Sequence, residues 1–212
     1  MVQSQNLSRR ERKKQRTHEA IVSAARELFV VRGYDDVTIP EIAERAEVAV
    51  STVFAHFASK DAIFFSGWTA MTEDFERFVA EAPADEPVLD VLRRWYAEYW
   101  PSYASADEWW GPERYRLIAE TPALDAQRRH RVAKLQRVFA AAFARELGEE
   151  PDDLRPRLLA AAALAATTSI NEHWYAKGLP TGVRTPAEVA EYAFALIEAG
   201  QAAIAELATP PF

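Results

Sequence analysis

The side chains most suited to chemistry near the start of the chain are a group of cations. Six Lys and Arg residues between positions 9 and 16 surround a single acid, Glu11. They are Arg9, Arg10, Arg12, Lys13, Lys14 and Arg16. Ammonium and guanidinium groups at this density attract phosphate, so the segment predicts either an arm that contacts nucleic acid or a solvated run of charge.

The remainder of the chain has the opposite charge balance. Residues 1–61 hold ten Lys and Arg against nine Asp and Glu, whereas residues 62–212 hold fifteen against twenty-three. The formal net charge of -7 therefore comes from the later part of the sequence. A basic arm precedes an acidic body, and operator DNA stays a candidate partner despite the overall charge.

A second distinctive set of side chains is aromatic. Eight Trp and Tyr residues lie between positions 95 and 115. About half of such residues belong to an ordinary core. The others predict a partly open pocket for a small molecule, because each buried Trp or Tyr brings a polar atom that needs a partner. The expected ligand-binding residues are Trp95, Tyr99, Trp100, Trp109, Trp110, Arg114, Tyr115, Asn171, Trp174 and Tyr175, with Arg94, Arg116, Glu172 and His173 as further polar groups.

Composition argues against several classes of function. The absence of cysteine excludes disulfides and thiol chemistry. The four histidines are scattered, and no nucleophile, phosphate loop or metal-ligand spacing is visible, so we expect no cofactor and no metal. An enzyme that uses an aromatic cavity is therefore an alternative with little support in the sequence. The longest apolar stretch, residues 158–170, is mostly alanine and contains hydroxyl groups, so we expect no membrane span and a cytoplasmic location.

Helices must position these groups. Apolar residues recur at helical spacing along nearly the whole chain, and no alternating run predicts a sheet. Thr38 with Glu41, and Thr185 with Glu188, have the spacing of capping boxes. The sequence predicts an all-α fold with a head at residues 1–60 and a body at residues 61–212. About nine helices are expected, at residues 9–33, 38–46, 50–56, 60–81, 87–104, 108–120, 122–147, 152–178 and 186–207.

The two short predicted helices at residues 38–46 and 50–56 are joined by a tight turn. Packed against the first helix, they would form a tri-helical head suited to the major groove, although periodicity alone also fits an ordinary helical hairpin. Residues 38–61, TIPEIAERAEVAVSTVFAHFASKD, closely resemble the DNA-binding domain of the TetR family of regulators. The resemblance extends upstream through AARELF at residues 24–29 and RGY at residues 32–34, and covers roughly residues 15–68.

This resemblance implies a role for each element of the head. It implies that the first helix and Thr38 buttress the DNA backbone, that residues 50–56 form the recognition helix, and that Lys60 reaches a phosphate. A helix N-terminus and an ammonium group both attract phosphate, whereas sequence is read at the base edges. Beyond the arm, the expected DNA-binding residues are Thr38, Val50, Ser51, Thr52, Phe54, Ala55, His56 and Lys60.

Three positions depart from the family pattern. Glu47 stands where the turn usually has glycine, at a cost of about 1 kcal/mol if a positive φ is required. Ala49 stands where a serine usually caps the recognition helix, so one backbone donor loses a side-chain partner. Phe54 stands where a tyrosine commonly contacts phosphate, and it has no hydroxyl to donate.

The outward positions of the recognition helix are poor in groups that read bases by paired hydrogen bonds. They are expected to be Val50, Ser51, Thr52, Ala55 and His56. The base sequence would then be read by three groups together. Val50 and Ala55 would contact thymine methyls, the Thr52 hydroxyl would form a hydrogen bond, and the basic arm would lie in a minor groove. His56 would contact phosphate or cap the helix end.

The body has a weaker resemblance, and it leaves the effector open. Residues 114–124 and 154–164 are similar to TetR regulators whose effector domain is described as acyl-CoA-like ligand binding. That similarity implies a bulky anionic effector met by arginines, whereas the Trp and Tyr residues suit a flat aromatic molecule equally well. We therefore expect an effector that is either aromatic or acyl-CoA-like.

The last two helices are expected to form a homodimer interface. Residues 160–166 are small enough for close helix approach, and an apolar stripe runs along the final helix. The stripe comprises Val189, Ala193, Leu196, Ile197, Gly200, Ala203, Ile204 and Leu207. Burial within one chain is the alternative. A two-fold dimer with a four-helix bundle, which the resemblance implies, would supply the two heads that a palindromic operator requires.

Together these features predict a ligand-responsive transcriptional regulator, a repressor released from its operator by a small molecule. The predicted helix at residues 60–81 would carry the coupling between effector and head. The alternative is a regulator controlled by a protein partner that docks on the aromatic body.

Overall fold

The computed structural model describes residues 8–99, 112–177 and 186–206. Within these ranges the chain forms ten helices and no strand, which confirms the all-α prediction. The helices are α1 (Arg9–Arg32), α2 (Ile39–Arg45), α3 (Val50–His56), α4 (Lys60–Phe64), α5 (Ser66–Glu81), α6 (Val88–Glu98), α7 (Pro112–Glu120), α8 (Pro122–Leu147), α9 (Leu154–Lys177) and α10 (Pro186–Glu206).

Capping chemistry sets the ends of the first helices. The hydroxyl of Ser8 accepts from the backbone N–H of Glu11 at 3.2 Å, and the Glu11 carboxylate accepts from the Ser8 N–H at 2.8 Å. α1 ends at Gly33, whose φ of 86° is open to glycine at little cost. The capping box predicted at Thr38 and Glu41 is present at the start of α2.

The head is held together by a core shared between α1 and the two short helices. α2 and α3 have seven residues each, so they are too short to be stable by themselves and depend on this packing. Phe29 of α1 is fully buried and its ring centroid lies 5.1 Å from that of Tyr34. The core includes Ile21, Ala24, Ala25, Phe29, Val37, Ile42, Ala43 and Val53.

The predicted helix at residues 60–81 is wrong in one respect, because it is interrupted at Phe65. Phe65 has φ -100° and ψ 12°, and it separates α4 from α5. The Ser66 hydroxyl donates to the carbonyl of Ile63 at 2.9 Å, which gives that carbonyl an alternative to a regular helical partner. Gly67 follows and has low helix propensity. The head therefore meets the body at a bend.

α5, α6, α8, α9 and α10 surround the core of the body. The rings of Phe75 and Phe139 are stacked with centroids 5.2 Å apart, and Phe75 also meets Trp95 edge-on at 5.2 Å. Phe143 and Phe194 are fully buried in the same core. None of the described helices is both long and apolar enough to cross a membrane.

The two cores meet at α7 and α5. Leu117 and Ile118 of α7 and Leu124 of α8 are buried in the core of the head, although they come from the later part of the sequence. Trp68 of α5 packs against both cores. The division at residue 60 stays a prediction, and the packing across it is continuous.

Candidate nucleic-acid interface and effector cavity

α3 buries one face in the head and exposes the other. Val53 is fully buried, whereas Val50 is 39% exposed and Phe54 is 54% exposed. Ser51 and Ala55 are also exposed. The outward face of this helix is consequently apolar except for the single hydroxyl of Ser51.

Two residues predicted to point outward from α3 are half-buried instead. Thr52 and His56 lie on the side of the helix that turns toward α1. The ring of His18 on α1 packs 4.6 Å from Phe57 and 6.1 Å from His56, measured between centroids. Burial, and then the nearby charge of His56, lower the pKa of His18. This contact holds the C-terminal end of α3 against α1.

The turn before α3 has the conformation expected from the residues that depart from the family pattern. Glu47 has φ 54° and is the only residue other than glycine with a positive φ in the described parts of the chain. Its conformation lets the N–H of Val48 donate to the carbonyl of Ala43 at 2.9 Å. Ala49 begins α3 without a side-chain cap. Both departures therefore cost stability where the turn is made.

Thr38 is exposed at the start of α2, and its hydroxyl takes part in the capping box. The hydroxyl donates to Oε2 of Glu41 at 2.7 Å, and Nη1 of Arg32 lies 2.7 Å from Oε1 of the same carboxylate. These hydrogen bonds, that of Thr38 first, lower the pKa of Glu41 to about 2. Thr38 thus orders the start of α2.

Lys60 makes contacts that the sequence did not predict. Its ammonium group donates to the carbonyl oxygens of Tyr34 and Val37 at 2.8 Å each, and to that of Asp35 at 3.4 Å. The ammonium nitrogen also lies 4.2 Å from the centroid of the Tyr34 ring. Since an ammonium group has three donors, all of them are directed at the loop between α1 and α2. A phosphate contact would require one of these bonds to open.

The six cations of the predicted arm form the first two turns of α1 and are all exposed. An α-helix with its side chains is about 10–12 Å across, whereas the minor groove of B-DNA is about 6 Å wide. The helix itself is too wide to enter a minor groove, so only its side chains could reach into one, and the minor-groove contact stays a prediction. The basic turns lead along α1 to His18, whose ring lies beside that of His56 at the end of α3.

The body contains a cavity of about 70 Å³ between α5, α6, α7, α8 and α9. Aromatic rings form much of its wall, and threonine hydroxyls supply polar atoms. Thr167 donates its hydroxyl proton to the carbonyl of Ala163 at 2.9 Å, which leaves its oxygen as an acceptor. The described lining residues are Trp68, Met71, Phe75, Trp95, Tyr96, Tyr115, Val132, Leu135, Phe139, Leu164, Thr167 and Thr168.

The structure brings only part of the predicted ligand-binding set to this cavity. Trp95 and Tyr115 line it, whereas Tyr99 stacks on Trp95 at 5.0 Å from outside the described lining. Trp100, Trp109 and Trp110 lie outside the described residues, and Asn171, Trp174 and Tyr175 belong to α9 with side chains that are likewise outside the description.

Sequence reasoning missed the wall that α5 contributes. Trp68, Met71 and Phe75 are spaced at i, i+3 and i+7, so they share one face of the helix. That periodicity was available in the sequence and marks a buried face. It does not distinguish a cavity wall from solid core, because both require the same apolar side chains.

Arg114 does not line the aromatic cavity as predicted but occupies the junction of head and body. Its side chain is 2% exposed. The guanidinium carbon lies 5.6 Å from the ring centroids of both Phe64 and Phe65 and 5.8 Å from that of Trp68. The two other arginines proposed for the pocket pair with nearby carboxylates, Arg94 with Glu86 and Arg116 with Glu120.

α7 touches the cavity, the junction and the head within five residues. Tyr115 lines the cavity, and its neighbour Arg114 packs against the end of α4. Leu117 and Ile118 are buried in the core of the head. This short helix therefore connects the cavity wall to the core of the head.

An exposed apolar surface runs along α9 and α10. Tyr192 is 69% exposed and Leu196 is 65% exposed, and on α9 Leu154 and Leu158 are 41% and 49% exposed. The predicted interface stripe is wrong for Ala193 and Ile197, which are buried within their own chain. The outward stripe consists of Tyr192, Ala195, Leu196, Ala199 and Ala203, so it is rotated around the helix axis from the predicted stripe and shares Leu196 and Ala203 with it.

Two short helices, α2 and α3, pack against α1 in a head that is joined to a larger helical body with an internal cavity. This arrangement is typical of the helix-turn-helix transcriptional regulators. The profile "Bacterial regulatory proteins, tetR family" matches residues 21–66, and the profile "MftR C-terminal domain" matches residues 86–202. The chain belongs to the TetR family. Members of this family are transcriptional regulators, typically ligand-responsive repressors, and not enzymes.

Individual relatives agree with this assignment. The chain is 30% identical over 172 residues to the HTH-type transcriptional regulator TcmR of Streptomyces glaucescens, covering 78% of this chain and 76% of that protein. Among solved structures, Thermus thermophilus FadR in complex with lauroyl-CoA is similar with a TM-score of 0.56 and 24% identity, covering 86% and 94% of the two chains. SmeT of Stenotrophomonas maltophilia in complex with triclosan is similar with a TM-score of 0.63 and 19% identity, covering 87% and 90%.

Proposed function

We propose that this chain is a homodimeric repressor in the cytoplasm that leaves a palindromic operator when an apolar aromatic molecule enters the α5–α9 cavity. The observation that carries the proposal is the position of α7. One face of this helix forms the cavity wall at Tyr115, and another is buried in the head at Leu117 and Ile118. Effector binding and head position are thereby coupled through one rigid element.

The DNA-binding surface combines α3 with the start of α1. The exposed face of α3, with Val50, Ser51, Phe54 and Ala55, enters the major groove. The cations of α1 bind phosphates beside it. Thr52, His56 and Thr38 contribute by positioning α2 and α3, and Lys60 by closing the α1–α2 loop.

The lining of the cavity favours an aromatic effector over an acyl-CoA. Indole, phenol and benzyl rings surround a space that offers threonine oxygens, and the described lining contains no charged residue. A ligand site for a drug-sized molecule occupies about 300–1,000 Å³, several times the 70 Å³ seen between these side chains. The effector must therefore displace part of the wall, and movement of α7 is the displacement that reaches the head.

The exposed stripes of α9 and α10 form the dimer interface. Large apolar groups alternate with alanines along both, a pattern that allows two helix pairs to approach closely in a four-helix bundle. A two-fold axis through this bundle places two heads side by side for the half-sites of an operator.

The test is a gel-shift titration of the purified dimer on the DNA immediately upstream of its own gene. Two chemically distinct probes are added, triclosan as a neutral aromatic molecule and lauroyl-CoA as an acyl-CoA. We expect triclosan to release the DNA and lauroyl-CoA to leave it bound. Release by lauroyl-CoA alone would contradict the aromatic assignment, and a complete lack of DNA binding would contradict the function.

Two variants assign any release to the cavity. Trp95→Leu removes a ring from the wall and is expected to weaken the response to triclosan while DNA affinity is kept. Glu73→Gln alters an exposed side chain of α5 that lies outside both the cavity lining and the proposed interface, and it serves as the control, with an unchanged response.

A further inference from the structure

We infer that Phe54 and Val50 form an apolar ridge that reads the 5-methyl groups of thymines in the major groove. This inference rests on the proposed binding of operator DNA and adds the chemistry by which bases are distinguished. Thymine is the only standard base with a methyl group, and that group is displayed in the major groove alone.

The geometry of α3 brings the two side chains together. Positions i and i+4 of a helix lie on the same face, about 5–6 Å apart between Cβ atoms. Both side chains are exposed, at 39% for Val50 and 54% for Phe54, whereas Val53 faces the core. A phenyl ring and an isopropyl group one turn apart make a continuous apolar surface on the side of α3 that faces away from the head.

The same face offers almost nothing else for base recognition. Its hydrogen-bonding side chain is Ser51, and the neighbouring exposed residue Ala55 has none. α3 contains no Arg, Lys, Asn or Gln, the residues that form paired hydrogen bonds with guanine or adenine. The cations at the start of α1 are exposed and suited to phosphates, so they supply affinity without sequence information.

The ridge is held in place on both sides. Val53 is fully buried beneath it, and the C-terminal end of α3 packs against α1 through Phe57 and His18 at 4.6 Å. Lys14 stands one turn before His18 on α1, so the contact of His18 with Phe57 brings the basic turns close to the C-terminal end of α3. An apolar surface flanked by exposed cations complements the base edges and flanking phosphates of DNA and does not match an apolar protein partner.

The experiment compares thymine with uracil, which differ only by the methyl group. A random duplex library of about 40 base pairs, long enough for two half-sites one helical turn apart, is selected with the full-length dimer. Each thymine of the selected sequence is then replaced by uracil. Removing one buried methyl costs about 0.8 kcal/mol, so we expect about a four-fold loss of affinity at each contacted position and about sixteen-fold for a symmetric pair.

Variants assign the effect to the ridge. Phe54→Ala is expected to bring the thymine-to-uracil ratio close to one at a subset of positions, Val50→Ala at others, and Phe54→Leu to keep most of the ratio. Both side chains are exposed, so the fold is retained, and thermal melting confirms this. Val31→Ala is the matched control. Val31 is also an exposed valine, at 81%, but it lies on α1 in a groove next to α7 and not on α3.

Each outcome is decisive. Equal affinity for thymine and uracil duplexes would overturn the inference and leave operator binding intact. A uracil penalty that persists in Phe54→Ala and Val50→Ala together would also overturn it. If no sequence is enriched from the thymine library, the proposed function fails first and the inference fails with it.

Discussion

The guanidinium carbon of Arg131 lies 4.1 Å from the ring centroid of Phe65, at the bend between α4 and α5. Burial lowers the pKa of Arg131, yet an arginine keeps its charge at any pH of interest. The next residue of α8, Val132, lines the effector cavity. Arg114 approaches the same ring from α7, next to Tyr115 of the cavity wall. α7 and α8 therefore each have an arginine against Phe65 and, next to it in sequence, a residue that lines the cavity.

Replacing Arg131 with methionine should loosen this junction. A partly desolvated cation–π contact contributes about 1 kcal/mol, so we expect thermal melting of Arg131→Met about 2–4 °C below the wild type. The effector should also release DNA over a different concentration range. Arg129→Met is the control, because Arg129 is exposed on the same helix and pairs with Asp125, and it should melt like the wild type. Equal melting of both variants would contradict the role of Phe65.

Glu47→Gly should stabilise the head. Glu47 has φ 54°, a conformation that costs about 1 kcal/mol for a residue with a side chain, and glycine removes most of this cost. Chemical denaturation should show a higher midpoint with operator affinity unchanged. Glu44→Gly provides the contrast, since Glu44 is helical in α2 and its replacement should destabilise by about 1 kcal/mol. A loss of stability in both variants would speak against strain at Glu47.

Lys60→Met should lower stability and leave the salt dependence of DNA binding nearly unchanged. The change leaves the carbonyls of Tyr34 and Val37 without their charged donor, at a cost of about 2 kcal/mol. A true phosphate contact would instead reduce the slope of log affinity against log salt by about 0.9. Arg10→Gln, in the exposed basic turns, is the comparison in which the slope should fall. A reduced slope for Lys60→Met with normal melting would favour the phosphate role.

Acid should destabilise the head through His18. Burial lowers the pKa of His18 below its ordinary value of 6.5, so the folded state prefers the neutral ring. The stabilisation is complete above pH 6.5 and is lost as the pH falls below it. Melting curves at pH 7.5 and 5.5 should differ more for the wild type than for His18→Phe. His56→Gln should keep most of the difference, because burial is the larger cause of the lowered His18 pKa and the charge of His56 the smaller one. A pH response that survives in His18→Phe would exclude His18 as its source.

Leu196→Asp should convert the dimer into a monomer. Leu196 is 65% exposed on the outward stripe of α10, so a charge there does not disturb the core of the chain but would be buried between two copies. Analytical ultracentrifugation should show half the mass, and operator affinity should fall steeply because two heads no longer bind together. Val31→Asp, an exposed apolar position on α1, should remain dimeric. A dimer that persists in Leu196→Asp would move the interface elsewhere.

The elements that the sequence predicted well are those governed by local chemistry. The capping box at Thr38 and Glu41, the positive φ at Glu47 and the uncapped start of α3 all follow from residues within one turn. The bend at Phe65 was missed because helical periodicity continues through it. The position of Lys60 was missed because its partners are carbonyls 23 to 26 residues away, and backbone acceptors leave no trace in a sequence.

The sequence predicted an aromatic cavity in the body but identified only some of the residues that line it. Trp95 and Tyr115 were found because aromatic residues are crowded around them, whereas Trp68 and Phe75 are spaced as any core face would be. Arg114 was assigned to the pocket by its charge, whereas in the structure it is buried beside Phe64 and Phe65. Which of several apolar faces encloses a cavity depends on how helices far apart in sequence pack, and no local pattern encodes it.

Trp68 packs against both hydrophobic cores. The two cores are nevertheless separate clusters of buried side chains, and clusters that pack separately can open at different free energies. The head, with its seven-residue helices and strained turn, would open at lower free energy than the body. Hydrogen exchange would then separate the amides of α2 and α3 from those of α8 and α9 into two groups of different protection.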